Sequence, residues 1–395
     1  MPSSVRILAL TQLYPTPLQQ GLASFNRQQF AELSCLHELK IIRPIPWPIA
    51  AAQWMRGQSI AAVPVANGSV PAQYPTYYYL PRVRSDLFGP CLESSVRKPV
   101  ERMIESYRPD VLLTSWAHPD GWATLRFGRR AGLPVVLKVL GSDVLVLARG
   151  RRRQPIVDAL CGVDAVIAVS EDLARQTVSL GASPSRVHVV PEGLDTEIFA
   201  PGDQSLARTR LGLPTSGRMI LFVGNLLRSK GVVDLVHACA LLRDRGVQFS
   251  CRIVGQGPDA AIVERAIRTS NLADRVSCVG GRPHAELAEW FRASDVVTLP
   301  SYTEGIPNVL REAISCGKPF VSTSVGGIPE IADPSFSRLV PPGSIAELAS
   351  ALADVVENVP HVDRNVVQRI NISWKDSARL LAGHLQAAVD GRSRR

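Results

Sequence analysis

The amino-acid sequence predicts an α/β protein built from two doubly wound parallel sheets, and three observations carry that expectation. Short apolar runs bounded by turn residues recur along the chain, with amphipathic stretches such as "EDLARQTVSLG" between several of them. Strands that alternate with helices pair in parallel through crossover connections. The runs fall into two series separated by the Pro/Gly/Asp-rich "FAPGDQSLARTRLGLPTSG", and 395 residues exceed one ordinary core, so two domains of about 150 to 200 residues are expected.

The first series is "VRILAL" (5–10), "DVLLTS" (110–115), "PVVLKVL" (134–140), "DAVIAVS" (164–170) and "RVHVV" (186–190). The second is "MILFVG" (219–224), "FSCRIVG" (249–255), "RVSCVG" (275–280), "DVVTLP" (295–300) and "KPFVST" (318–323). Domain limits of 1–200 and 201–374 follow, with 375–395 assigned to a last helix. Residues 41–90 are less regular, and "PIPWPIAAAQWM" and "YPTYYYLPRV" carry many aromatics and prolines. That stretch reads equally as an excursion that meets a partner or acceptor and as a core-filling loop.

With 46% hydrophobic and 20% charged residues the chain can bury two cores. Its seven cysteines are scattered without a C-x-x-C pair, which argues against a disulfide framework or zinc site and for a reducing cytoplasm. "MPSSVRILALTQLYP" reads as a first strand and not as a signal peptide. No run of about 18 apolar residues occurs, so no membrane span is expected. The net charge of +9, partly bunched in "RGRRR" (149–153), suits nucleic acid, an anionic membrane face or phosphorylated substrates. No helix-turn-helix, zinc finger or aromatic-basic pattern accompanies it, so nucleic acid is not expected. The arginine run reads equally as a solvated loop and as a lipid-binding patch.

Ligands of doubly wound sheets bind beyond the carboxyl ends of the strands. Four loops occupy such positions: "LYPTPLQQGLASFNRQQF", in which Gly21 opens a helix; "GNLLRSKG"; "GQGPD"; and "SYTEGIPN". None completes G-x-G-x-x-G, and neither a Walker A sequence nor a D-x-D pair is present. A diphosphate would therefore be met by basic side chains and helix N-termini, with Lys230 beside Gly231 the best candidate. In the last loop Glu304 precedes a helix expected to start at Pro307, and Glu312 follows within that helix. Either carboxylate alone could be a helix cap.

The series "VGNLLRSKG", "IVGQGP" and "ASDVVTLPSYTEGIPNVLREAISCGKPFVSTSVGGIPEI" resembles the retaining nucleotide-sugar glycosyltransferases of family 4, which have the GT-B fold. "YPTP", "GLASFNRQQF", "AHPDG", "LGSDV" and "VIAVSEDLARQTVSLGASPSRVHVVPEGLDTEIFAP" in the first half, and "ISWKDSARLLAGHL" at the end, are similar too. The resemblance implies two Rossmann-like domains facing a central cleft, with the last helix returning to the first domain. It is nearest to bacterial exopolysaccharide and teichuronic-acid enzymes.

For individual residues the resemblance implies that Glu312 binds the ribose diol, which suits a carboxylate with two acceptor oxygens. Asn308 lies one turn before it, and Val309, Leu310, Ala313 and Ile314 form the apolar face, Val309 at its donor edge. Glu304 would contact the sugar near the reacting face, with Gly305 and Ile306 offering backbone N–H groups. Gly280 to Arg282 would meet the base through the backbone. The chain departs from the family in three places. Asn225 stands where relatives usually have Arg, leaving Arg228 as a substitute beside the retained Lys230. "PEGLD" brings in Glu192, and Leu140 precedes "GSD" where many relatives have His. Asp143 and His118 are then the polar groups available as catalytic partners of Glu304 and Lys230 in the first domain. The implied reaction is transfer from a UDP-, GDP- or ADP-sugar with retention, without metal or cofactor, to a lipid-linked saccharide, on the inner face of the cell membrane. A sugar-nucleotide epimerase, a phosphorylase and a non-catalytic nucleotide-sugar-binding subunit are the rival classes.

Overall fold

Continuous apolar runs become the inner strands of parallel sheets because helices cover both faces and leave no solvated side. The computed structural model describes residues 4–16, 18–19, 23–57, 70–81, 83–148 and 150–393; Gly21 and Arg149 lie outside them. The chain divides into two units, Met1–Gly193 with Trp374–Arg395, and Leu194–Ser373.

In the first unit, β1 (Arg6–Leu10), β2 (Glu38–Ile42), β4 (Ala72–Gln73), β6 (Val111–Ser115), β7 (Val135–Val139), β8 (Ala165–Ala168) and β9 (Val187–Val189) form one sheet of order β4-β2-β1-β6-β7-β8-β9. Every pairing is parallel. The short strands β3 (Ile45–Pro46) and β5 (Thr76–Tyr77) pair separately. All residues of β6, β7 and β8 are buried. The last helix, Trp374–Ser393, belongs to this unit: Ala378, Leu381, Ala382 and Leu385 pack in one cluster with Ile7, Phe30, Leu33 and Ile167.

The second unit holds β10 (Met219–Val223), β11 (Ser250–Val254), β12 (Val276–Gly280), β13 (Val296–Leu299), β14 (Phe320–Thr323) and β15 (Ser337–Val340), in the order β12-β11-β10-β13-β14-β15. These pairings are also parallel. Each apolar run of both series contains a strand. Three sheet strands, β2, β4 and β15, have no counterpart among those runs. The excursion at 41–90 carries β3, a helix Trp47–Met55, β4 and β5 among its described residues.

Strand order reverses between β1 and β6 in the first sheet and between β10 and β13 in the second. At such a switch point the two flanking loops leave in opposite directions and open a crevice beyond the carboxyl ends of the strands.

Candidate functional site

The crevice of the second unit is shaped by two glycines. Gly231, which ends the 3-10 turn Arg228–Lys230, has φ 66°, and a Cβ there would lie 1.9 Å from the carbonyl oxygen of Pro300. The turn after β10 can therefore lie flat against the end of β13, and Tyr302 N–H donates to the Ser229 carbonyl at 2.8 Å. On the other side Gly326, with φ 55°, would place a Cβ 1.9 Å from the Glu304 carbonyl oxygen, and Gly327 N–H donates to the Gly305 carbonyl at 2.6 Å. The Glu304 loop is held between these two turns.

Lys230 Nζ donates to Glu304 Oε1 at 2.6 Å, and Ser301 Oγ donates to the same oxygen at 2.6 Å. The Lys230 side chain is 26% exposed and that of Glu304 9%. An ammonium that keeps solvent access while a nearly buried carboxylate holds it is positioned to meet an anionic ligand. Pro307 caps the following helix, Asn308–Ser315, instead of forming its first residue as expected. Leu310, Ala313 and Ile314 anchor that helix in the core, with Ile306 and Val309 packed at its edge.

Glu312 sits on the helix with its side chain 6% exposed, and its Oε1 shares a 2.7 Å hydrogen bond with His284 Nε2, whose side chain is 44% exposed. Asn308 Oδ1 accepts from Arg311 Nη1 at 3.4 Å. Gly280 has φ 82°, and its carbonyl accepts the Gly255 N–H at 3.0 Å. Arg282 and Asn225 are exposed, and Arg228, also exposed, is fixed by its N–H to Asp259 Oδ2 at 2.8 Å.

Thus Lys230, Glu304, Gly305 and Ile306 come together, and Glu312 lies on the helix that the same loop leads into. Sequence reasoning did not single out His284, Ser301 or the Gly326–Gly327 turn. His284 was within reach of the strand-end rule: it follows β12 two residues beyond Arg282, in "GGRPHAE".

In the first unit the polar candidates hold loops. Asp143 is fully buried: Oδ1 accepts the N–H groups of Leu140 and Gly141 at 3.1 and 3.0 Å, and Oδ2 that of Ala117 at 3.1 Å. Burial pushes its pKa up. It ties the loop after β7 to the loop after β6. His118 is fully buried, and its Nε2 accepts the Gly89 N–H at 3.1 Å. Burial, and then the charge of Arg152, hold the imidazole down to about 4. Nε2 is the acceptor, so the neutral ring carries its proton on Nδ1, which has no partner among the described residues. Asp120 spans the switch point, accepting Gln12 N–H and Gln12 Nε2, both at 2.7 Å, and burial raises it to about 6.

Lys138, buried in β7, donates to Asn26 Oδ1 at 2.9 Å and to Gln29 Oε1. Burial pushes it down to about 8 against the pull of the Glu192 carboxylate. Among the described residues no group of three or more His, Cys, Asp or Glu could hold a metal ion.

The sequence and the fold have counterparts among known proteins. A family model described as "Glycosyl transferases group 1" matches residues 217–358, and one described as "Glycosyltransferase Family 4" matches residues 45–198. A D-inositol 3-phosphate glycosyltransferase of Catenulispora acidiphila is 32% identical over 306 residues, covering 70% of this chain and 73% of that protein. A putative teichuronic acid biosynthesis glycosyltransferase of Bacillus subtilis, TuaC, is 27% identical over 359 residues, 88% of each chain. Among solved structures, sucrose-phosphate synthase from Thermosynechococcus elongatus superposes with a TM-score of 0.79 at 21% identity, covering 98% of this chain and 99% of that one. HepE of Anabaena in complex with UDP gives 0.75 at 18%, covering 97% and 100%. The fold is that of the GT-B glycosyltransferases, and the sequence similarity runs through both units: the chain belongs to the group 1, or family 4, glycosyltransferases.

Proposed function

We propose that the protein transfers a sugar, with retention of anomeric configuration and without a metal ion, from a UDP-, GDP- or ADP-sugar to a hydroxyl of a lipid-linked saccharide in bacterial polysaccharide assembly. The observation that carries the reading is the 2.6 Å contact of Lys230 with Glu304 at the switch point of the second sheet, with Glu312 on the adjoining helix. HepE was solved with UDP and with UDP-glucose, which supports a nucleotide-sugar donor. TuaC is named for teichuronic acid biosynthesis, which supports a polysaccharide product.

Glu312 takes the ribose diol. The base lies along the Gly280–Arg282 backbone, with Asn225, Arg228, Asn308 and Val309 lining the donor. Lys230 and the N-terminus of the helix after Gly231 hold the diphosphate. Glu304, with the N–H groups of Gly305 and Ile306, positions the sugar. In the transfer step the acceptor oxygen attacks the anomeric carbon on the face from which the diphosphate departs. The glycosidic C–O bond to phosphate breaks, and the acceptor proton passes to a phosphate oxygen. Lys230 stabilises the charge that grows on the leaving diphosphate. Asp143 and His118 act by holding the loops that receive the acceptor.

The test is incubation with UDP-, GDP- and ADP-sugars and a polyprenyl-diphosphate-linked saccharide, preceded by thermal-shift screening, in which a ligand at a hundred times its Kd stabilises by about 2.7 kcal/mol. Transfer to the lipid-linked saccharide supports the reading. An isomerised donor formed without acceptor would mark an epimerase, turnover that requires phosphate a phosphorylase, and binding without turnover a non-catalytic subunit. The name of the Catenulispora relative favours one second reading, a soluble phosphorylated cyclitol as acceptor, and inositol phosphate belongs in the panel for that reason.

A further inference from the structure

From Leu39 to Ser85 the sequence contains Lys40, Arg43, Arg56, Arg82 and Arg84 and not one Asp or Glu. The described part of this stretch is firmly anchored on one side. Tyr77 is buried and donates through its hydroxyl to the Phe88 carbonyl at 3.2 Å; Tyr79 stacks on Tyr77 and meets Phe88 edge-on, with ring centroids 4.8 Å apart in both pairs. Trp47 Nε1 donates to the Tyr79 carbonyl at 2.6 Å, which fastens the helix Trp47–Met55 to the segment that follows β5.

The other side is open. Tyr78 and Leu80 alternate with the anchored tyrosines and are 63% and 69% exposed, and Trp54 and Met55, at the end of the helix, are 80% and 73% exposed. The helix itself contains no charged residue, and exposed Arg56 follows it. Exposed Arg151 lines one depression with Arg84 and Asp86, the first carboxylate after the gap, and Arg84 is paired there with Asp86, Nη2 to Oδ2 at 2.8 Å. Large side chains held out in water by a well-anchored scaffold mark an interaction surface.

The charge pattern selects the occupant. A second copy binding face to face would bring Arg56 and Arg151 against themselves. An anionic bilayer complements them, and Trp and Tyr rings favour the headgroup level, where an apolar body and a polar edge are both accommodated. We propose that this face seats on an anionic lipid surface, with Trp54, Met55 and Leu80 entering the headgroup layer and Arg56 and Arg151 meeting lipid phosphates. The contact is thus more than the electrostatic patch expected from the arginine run alone. It serves the membrane-borne acceptor proposed above and rests on that reading for its purpose, while the contact itself is testable without glycosyl transfer.

The full chain is mixed with vesicles of phosphatidylcholine, with and without phosphatidylglycerol, and partitioning is read by co-sedimentation. The wild type should bind the anionic vesicles and bind less as salt rises. Changing Trp54, Met55 and Leu80 together to Ser should lower partitioning at least tenfold, with nucleoside diphosphate affinity and transfer to a water-soluble acceptor unchanged as evidence that the fold is intact. Changing Arg56 or Arg151 singly to Ser should cost about fivefold each. Binding that survives the triple change but vanishes when Arg151, Arg152 and Arg153 become Ser would overturn the insertion. So would a dimer in sedimentation velocity that the triple change dissociates, with no vesicle binding by the wild type. If vesicle binding fails while soluble acceptors are glycosylated, only the docking proposal falls; if binding succeeds and no sugar is transferred, the transferase reading falls instead.

Discussion

Replacing Glu312 by alanine separates binding from turnover, and its magnitude can be worked from the geometry. The carboxylate is nearly buried, and its one side-chain partner described here, His284, is almost half exposed. Removing Glu312 therefore leaves no ion stranded in the core, because water can satisfy the imidazole. What is lost, on the function proposed above, is the ribose contact. Two hydroxyl donors to an ionised carboxylate contribute about 1.5 kcal/mol each, so Kd for the nucleoside diphosphate should rise about 150-fold. Glu304→Ala should leave that Kd within about threefold and lower kcat about a hundredfold, since Lys230, assigned to the diphosphate in the proposed function, stays in place. Isothermal titration with UDP, GDP and ADP measures the first quantity, and initial rates at saturating donor the second. The 2′-deoxy nucleoside diphosphate is the internal control: it should bind wild type more weakly than the ribonucleotide, and Glu312→Ala should not discriminate between them. His284→Ala should weaken binding about fivefold by freeing the carboxylate rotamer, and His284→Gln should recover part of that loss. Equal losses of affinity in the Glu304 and Glu312 variants, or a deoxy penalty that persists without Glu312, would refute the division of roles.

Lys230→Ala should lower kcat about a hundredfold and raise the nucleoside diphosphate Kd less than tenfold, because the growing leaving-group charge needs the ammonium more than the ground state does; equal effects on both would make it a plain binding residue. Transfer should be unchanged by EDTA, and a loss that magnesium or manganese restores would overturn metal independence. Acid stability should reflect two opposed groups. His118, held down to about 4 from an ordinary 6.5, contributes stability present above pH 6.5 and lost toward pH 4, about 3 kcal/mol. Asp120, raised from 3.8 to about 6, works the other way, adding about 3 kcal/mol as pH falls through the same range. Urea midpoints of the wild type should change little between pH 6 and 4, whereas those of Asp120→Asn should fall steeply; parallel curves would remove the assignment.

The inner strands were legible because burial on both faces makes them continuous apolar runs. Even Lys138 inside β7 did not hide that strand, since four apolar neighbours surround it. The missed strands lie toward the sheet edges. In β2, Glu38 and Lys40 are exposed and only Ile41 and Ile42 are buried, so its first half reads as surface. The edge strand β15 mixes Ser337 and Arg338 with Leu339 and Val340, and β4 has two residues, too few for any period. Asp143 and His118 illustrate a different limit. Residue type and strand-end position suggested chemistry, but only the three backbone donors around Asp143 and the Gly89 N–H on His118 reveal how they tie loops together.

The resemblance to family 4 singled out Glu304 and Glu312, which spacing alone left as possible helix caps; both lie in one segment, where a loop and the helix it enters keep their order in space. The partners of these residues come from elsewhere in the chain. Lys230 is 74 residues from Glu304, and His284 is 28 from Glu312. No local pattern encodes either distance, but the topology brings the first pair into one neighbourhood. The chain builds β10, β11 and β12 outward in one direction, then crosses back to lay β13 against the free edge of β10. Strands β10 and β13 therefore end side by side at the carboxyl end of the sheet, and the turn after β10 lies within reach of the loop after β13. What the sequence adds is glycine at the close approaches, Gly231 against the end of β13 and Gly326, in the loop after β14, against Glu304, and opposite charge at 230 and 304. A bulkier residue at position 231 would push the Lys230 turn away from Pro300 and part the pair without altering either charged residue. The site is thus a property of the crossover, and the two glycines set how closely its charges approach.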